Sequence, residues 1–270
     1  MPQIANSKGF VLLHTLWLLL LVAAIMAATL QAGRHMADSL SSYEKNIRRN
    51  LAIESAVYDV IFELLELGER SRWIRENGRV QKLLINNQTV EVISINVHGM
   101  IDINTADDGL LQVLSANLPN IDHVNSFIVQ ARKNNIRYFS YSDLSASLNI
   151  PQAVFSCIYP YVTIFSGREK PRAALMPESL KKMIGYIEDE KLSAMEGNSI
   201  SATGDVFRIN VTTPSSHLTN YLSVEVMITG RRDVPYLIRS WNWIESCQLD
   251  SVAKLPPNVD NRTDLNRHIA

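Results

Sequence analysis

Residues 9–33 contain no aspartate, glutamate, lysine or arginine. An uncharged stretch of that length is not expected of an exposed loop or a solvated helix. Elsewhere it is chemistry that is scarce. With 26 basic against 27 acidic side chains the net charge is −1, so no electrostatic reason points to nucleic acid or anionic lipid as the main partner. The patterns G-x-S-x-G, H-E-x-x-H, the P-loop and G-x-G-x-x-G are absent. His35, His98, His123, His217 and His268 stand singly, as surface or core histidines do. No enzymatic activity and no catalytic or cofactor-binding residue is therefore expected. The only two cysteines, Cys157 and Cys247, cannot build a thiolate metal site alone. They could pair in an oxidising compartment, and two buried thiols fit equally well.

What the sequence does have is apolar material in patterns. Hydrophobic residues make up 46% of the chain and charged ones 20%, the balance of a globular protein with a real core. As a helix, residues 9–33 rise roughly 38 Å at about 1.5 Å per residue, more than the roughly 30 Å hydrocarbon layer of a bilayer. A secretory signal has a shorter apolar core, so the run predicts a single membrane span. The short leading tail, with Lys8 its sole basic residue, should stay in the cytoplasm while the rest crosses; Arg34 and His35 at the far end weaken the charge rule. Helices associate in lipid through close packing, which makes Ala23, Ala24, Ala27 and Ala28 candidate interface residues.

Beyond the span, Met36, Leu40, Tyr43, Ile47, Leu51, Val57, Ile61 and Leu64 predict one apolar stripe on a helix ending near Gly68, packed on the protein's own sheet. Val80 to Ile85 and residues 90–97, joined across Asn86 and Asn87, read as a hairpin. Alternating Phe207, Ile209 and Val211, then Leu222, Val224, Val226 and Ile228, then residues 236–243, read as three late strands. Between them, residues 106–114, 123–132, 142–147 and 178–187 are candidate helices. Glu188-Asp189-Glu190 is acidic enough to ask about calcium, but a solvated helix face accounts for it more simply, and no metal ligand is assigned. Pro119-Asn120-Ile121 lacks the glycine that a DNA-gripping helical hairpin needs.

Lys8-Gly9-Phe10-Val11-Leu12-Leu13, a short polar leader and then glycine and phenylalanine opening a long apolar helix, resembles the processing site of type IV pilins and pseudopilins. The resemblance implies cleavage by prepilin peptidase between Gly9 and Phe10 and N-methylation of the new Phe10 amine. The fifth mature position, glutamate in most relatives, is His14 here, an omission shared with the minor pseudopilin K family of type II secretion. Ile101-Asp102-Ile103-Asn104-Thr105-Ala106 is similar to that family's helix-opening motif, with Thr105 expected as the cap and Asp107 and Asp108 in the first turn. Arg137-Tyr138-Phe139-Ser140 with Asp143 and Leu144 is similar to a second helix start, and residues 159–167 to a strand. Trp241 and Trp243 stand where the family places aromatics in its last strand.

The implied fold is α+β: a long N-terminal helix (residues 10–68, with 10–33 in the membrane) on an antiparallel sheet of residues 78–104 and 199–245, the pseudopilin fold. A leader of residues 1–9 precedes it, residues 105–197 form a large α-helical insertion, and 246–270 are a flexible tail. The implied function is that of a tip subunit of the type II secretion pseudopilus, single-pass in the inner membrane with a periplasmic head. Its expected partners are minor pseudopilins I and J, other pseudopilins and prepilin peptidase, with the secretin or the cargo as further candidates and no nucleic acid. The alternatives are a minor pilin of a type IV pilus or competence system, or a plain signal-anchored interaction domain.

Overall fold

The computed structural model describes residues 7–117, 122–185, 202–214 and 220–247. Pro119-Asn120-Ile121, Glu188-Asp189-Glu190, His217, His268 and the tail from residue 248 lie outside the described residues. The chain forms two compact units, Met1–Leu51 and Ala52–Ala270.

A single helix, α1, runs over Ser7–Leu67. In the first unit its apolar side chains from Leu12 to Leu51 are exposed. The three hydroxyls of Thr15, Thr29 and Ser39 donate to the carbonyls of Leu12, Met26 and His35 at 2.8–2.9 Å. In the second unit Ala52, Ile53, Ala56, Val57, Val60, Ile61 and Leu64 are buried, while Tyr58, Phe62 and Leu65 are exposed. The single stripe expected from sequence is therefore two. The step from Leu51 to Val57 is six residues, which breaks the helical repeat; the steps Leu51, Tyr58, Phe62, Leu65 of seven, four and three keep it. The helix stops at Gly68, whose φ of +53° suits glycine and few other residues. The Glu63 carboxylate then accepts from Ser71 Oγ at 3.2 Å and from Arg72 N and Nε at 3.0 and 2.9 Å, which fixes the short α2 (Arg72–Arg75) beneath the sheet. At four residues α2 is too short to leave a periodic signal.

The hairpin is β1 (Val80–Ile85) and β2 (Gln88–Asn96). Asn86 and Asn87 both take positive φ, 48° and 63°, as a tight two-residue hairpin turn of the right twist requires. With β5 (Val206–Thr212), β6 (Asn220–Ile228) and β7 (Tyr236–Glu245), they form an antiparallel sheet in the order β1-β2-β5-β6-β7. One face, including Val90, Val92, Phe207, Ile209, Val211, Leu222, Val224 and Val226, packs on the buried side of α1 from Ala52 onward. Truncating Phe207 in such a core costs about 3–5 kcal/mol.

The chain leaves the sheet after Asn96 and returns at Val206. Asn96 Nδ2 donates to Asp205 Oδ2 at 2.7 Å across that neck. Gly99, just past it, lies so close to the Leu175 carbonyl that a Cβ would sit 2.1 Å from the oxygen. The insertion holds a small parallel pair, β3 (Ile101–Asp102) and β4 (Val162–Thr163). Its helices are α3 (Asp108–Asn117), α4 (Asp122–Lys133), α5 (Tyr141–Leu148), α6 (Gln152–Ile158) and α7 (Glu178–Met183). Its own core includes Ile101, Leu114, Ile128, Leu144, Phe155 and Leu180.

Several sequence expectations need correction. Residues 101–104, grouped with the sheet by the resemblance, fold with the insertion because Ile101 and Ile103 enter its core. Residues 159–167 give only the two-residue β4 after a short 3-10 turn. Asp107, not Thr105, caps α3 by accepting from Gly109 N at 2.7 Å; Thr105 Oγ1 instead donates to the Arg168 carbonyl at 2.8 Å. Helix α6 was not anticipated, since Gln-Ala-Val-Phe-Ser-Cys-Ile shows no helical alternation. Cys247, placed by sequence at the start of a mobile tail, is bonded to Cys157. The α+β arrangement of long helix and antiparallel sheet is the one the resemblance implies.

Candidate functional site

The sequence-assigned positions all fall on α1. Gly9 and Phe10 lie in its opening turns. His14, Ala23, Ala24, Ala27 and Ala28 are exposed along it, the alanines recurring at steps of one and three on one side of the helix. Among the described residues this is the one helix long and apolar enough to cross a membrane. A bilayer offers no water to stray polar groups, so threonines bonded to their own backbone are compatible with that environment. Further out, the exposed Glu44–Arg48 pair at 2.6 Å suits a watery surface and stabilises the helix only slightly.

In the second unit, sequence reasoning missed a buried polar clasp. Arg208 on β5 and Glu225 on β6 are cross-strand partners, each 0% exposed. They project from the sheet face opposite α1, where the insertion covers them. Arg208 Nε and Nη2 donate to Glu225 Oε1 at 2.8 and 2.6 Å. Its Nη1 and Nη2 also donate to the carbonyls of Tyr159 and Val162 at 2.5 and 2.7 Å, and Nη2 to Tyr141 Oη at 2.7 Å. Tyr141 Oη in turn donates to Glu225 Oε1 at 2.7 Å, and Tyr159 shares a 2.9 Å hydrogen bond with Ser223. The guanidinium stacks 4.0 Å from the Tyr159 ring centroid. Burial alone would push the Arg208 pKa down; the surrounding phenols and Glu225 outweigh it and hold the cation above its ordinary range. Burial drives the Tyr141 phenol well above its own and pushes Tyr221 up to about 12. The clasp is a structural device joining insertion to sheet.

A second knot organises the insertion. Asp102, buried, accepts from Asn104 N at 2.8 Å and from Ser166 Oγ and Gly167 N at 3.1 and 2.7 Å. Arg132 donates to the Ile103 carbonyl from Nε and Nη2 at 3.0 and 2.7 Å, and to the Ala106 carbonyl at 2.5 Å. The Asp-Ile-Asn-Thr-Ala motif is thus a loop-fixing element. At the neck His98 Nδ1 lies 3.3 Å from Asp205 Oδ1 without hydrogen-bond geometry. Burial lowers the His98 pKa against the pull of Asp205, and Arg168 and Arg172 add to the fall. Between the outer face of β2 and β5 and the residues around α7 lies a cleft of about 980 Å³, lined by Ile93, Asn210, Leu175 and Lys181 among others. Among the described residues no group of three or more metal-binding side chains occurs.

No protein-family model and no curated protein matches the chain. Among solved structures it is similar to a chain of the crystal structure of the GspK-GspI-GspJ complex from the enterotoxigenic Escherichia coli type 2 secretion system. The identity is 10% and the TM-score 0.43, over 78% of this chain and 99% of that one. A likeness at that level assigns no function.

Proposed function

We propose that this chain is a minor pseudopilin at the tip of a type II secretion pseudopilus, nucleating assembly with minor pseudopilins I and J in the inner membrane. The observation that carries the reading is the first half of α1: an apolar rod with no carboxylate over residues 9–33, exposed from Leu12 onward, in a helix that continues unbroken to Leu67. Prepilin peptidase cuts between Gly9 and Phe10, and the Phe10 amine is methylated. The rod then packs beside equivalent helices through Ala23, Ala24, Ala27 and Ala28, where small side chains allow close approach in lipid. The exposed stripe of Tyr58, Phe62 and Leu65 offers a second helical contact outside the bilayer.

Placement at the tip follows from His14. A carboxylate in a fibre's apolar core is costly unless paired with a neighbour's terminal ammonium. A subunit with no neighbour above it has no such ammonium, and a chain without the acid is suited to that place. The Cys157–Cys247 bond supports an oxidising compartment for the head, hence a cytoplasmic N-terminus and a periplasmic head.

Two experiments test this. Blotting the chain with and without active prepilin peptidase is expected to show a downward shift of about 1 kDa, the share of nine residues in a chain of 270 residues and 30.4 kDa; an intact Met1 in the presence of the enzyme would sink the proposal. His14→Glu is expected to leave secretion unchanged or mildly reduced. Stronger incorporation of that variant along the shaft, measured by cross-linking to major pseudopilin, would count against the tip.

A further inference from the structure

Two sequence motifs, residues 101–106 and 137–144, meet in the insertion. Asn104 holds the backbone of Tyr138 on both sides: its Nδ2 donates to the Tyr138 carbonyl and its Oδ1 accepts from Tyr138 N, each at 2.9 Å. The other end of the same turn is closed where Ile136 N donates to the Ala131 carbonyl at 2.9 Å, with Asn135 at φ +57°. Ser140 caps α5 by accepting from Asp143 N at 3.0 Å. Residues 133–139 are therefore fixed between α4 and α5.

This rigid turn displays what a helix start ordinarily hides. A phenylalanine just before an N-cap is placed to fold onto the fourth helical residue, here Leu144. Leu144 is buried, yet Phe139 is 78% exposed and Ile136 50%. Lys133 and Arg137 are exposed beside them and have no carboxylate partner among the described residues. No acidic residue occurs within 133–139.

We propose that residues 133–139 form a preformed docking knob for a protein partner whose surface offers an apolar pocket for the Phe139 ring, rimmed by aspartate or glutamate. An aromatic side chain next to arginine is the composition of interface hot spots. A backbone already held by Asn104 loses little freedom on binding. Lys133 and Arg137, without a carboxylate partner among the described residues, favour an acidic rim. A membrane surface fits less well: two apolar side chains are far less than the apolar face of an interfacial helix, and lipid has no use for a fixed backbone. The inference rests on the pseudopilin reading only in locating the partner outside the cytoplasm.

The test is a photo-reactive amino acid in place of Ile136 in the full chain, irradiated in intact cells. The expected product is an adduct to a protein segment bearing Asp or Glu. It should fall about thirty-fold with Phe139→Ala, the loss typical of a central anchor, and about ten-fold with Arg137→Glu, with melting of the purified variants unchanged. Reversing the mapped acid to lysine should restore the Arg137→Glu adduct. Adducts only to lipid, adducts to residues 248–270 of the same chain, insensitivity to both variants, failure of the charge swap, or no adduct would each overturn the knob. A processed N-terminus without an adduct counts against the knob alone; an adduct on an unprocessed chain counts against the pseudopilin reading alone.

Discussion

Glu225→Leu is expected to destabilise the head by about 3–5 kcal/mol, the cost of leaving a buried cation without its anion. Arg208 would keep the carbonyls of Tyr159 and Val162 and the Tyr141 hydroxyl, but none of these carries the compensating charge. Because those three partners belong to the insertion, the loss should register as loosening of the insertion as well as lower global stability. The measurement is urea unfolding of the detergent-solubilised chain, followed by limited proteolysis mapped to residues 97–205. The double change Arg208→Met with Glu225→Leu removes both charges together and should recover most of the loss. A single-variant cost under about 1 kcal/mol, against the range given for buried pairs, would mean that the clasp does not couple insertion and sheet.

Replacing both Cys157 and Cys247 with serine is the other large expected effect. The bond spans a sequence separation of 90, and chain-entropy reasoning gives it about 4–5 kcal/mol through constraint of the unfolded state. For a domain of this size each kcal/mol moves the melting temperature roughly 2–4 °C, so the variant should melt roughly 8–20 °C below the parent. Cys157 sits in the insertion's core beside Ile158 and Phe155, and Ile244 of β7 reaches the same core. Early loss of structure should therefore appear at the end of β7. Reducing the parent chain should reproduce the shift; identical melting of oxidised and reduced protein would show that packing alone holds this corner.

Elements whose reason for existing is local were legible in the sequence. Asn86 and Asn87 announce their own turn, the alternation in β5 and β6 gives both strands, and the apolar run gives a helix long and apolar enough to cross a membrane. What failed needed knowledge of what lies on top. Arg208 and Glu225 occupy the outward positions of alternating strands, where a charged residue normally means water; nothing local says that an insertion covers that face. Their cross-strand pairing was the one available cue. In the same way Leu51 and Val57 look like neighbours in one stripe until burial separates them. Of the candidate site, Gly9, Phe10 and His14 come from the family resemblance and the alanines from the apolar run, whereas the knob at 133–139 came into view only with the Asn104 contacts and the exposure of Phe139.

The neck has a consequence for how this protein acquires its shape. Asn96 and Phe207 are opposite each other on adjacent strands, so the β2–β5 seam cannot zip until everything from 97 to 206 has been synthesised and gathered in. Were that stretch still a random coil, closing it would cost about 4 kcal/mol, and sequence-distant pairings of this kind are slow. The β5–β6–β7 meander and the insertion's own core need no such wait. The β2–β5 seam is thus the last joint of the sheet to be made, and the Asn96–Asp205 bond latches it at the neck.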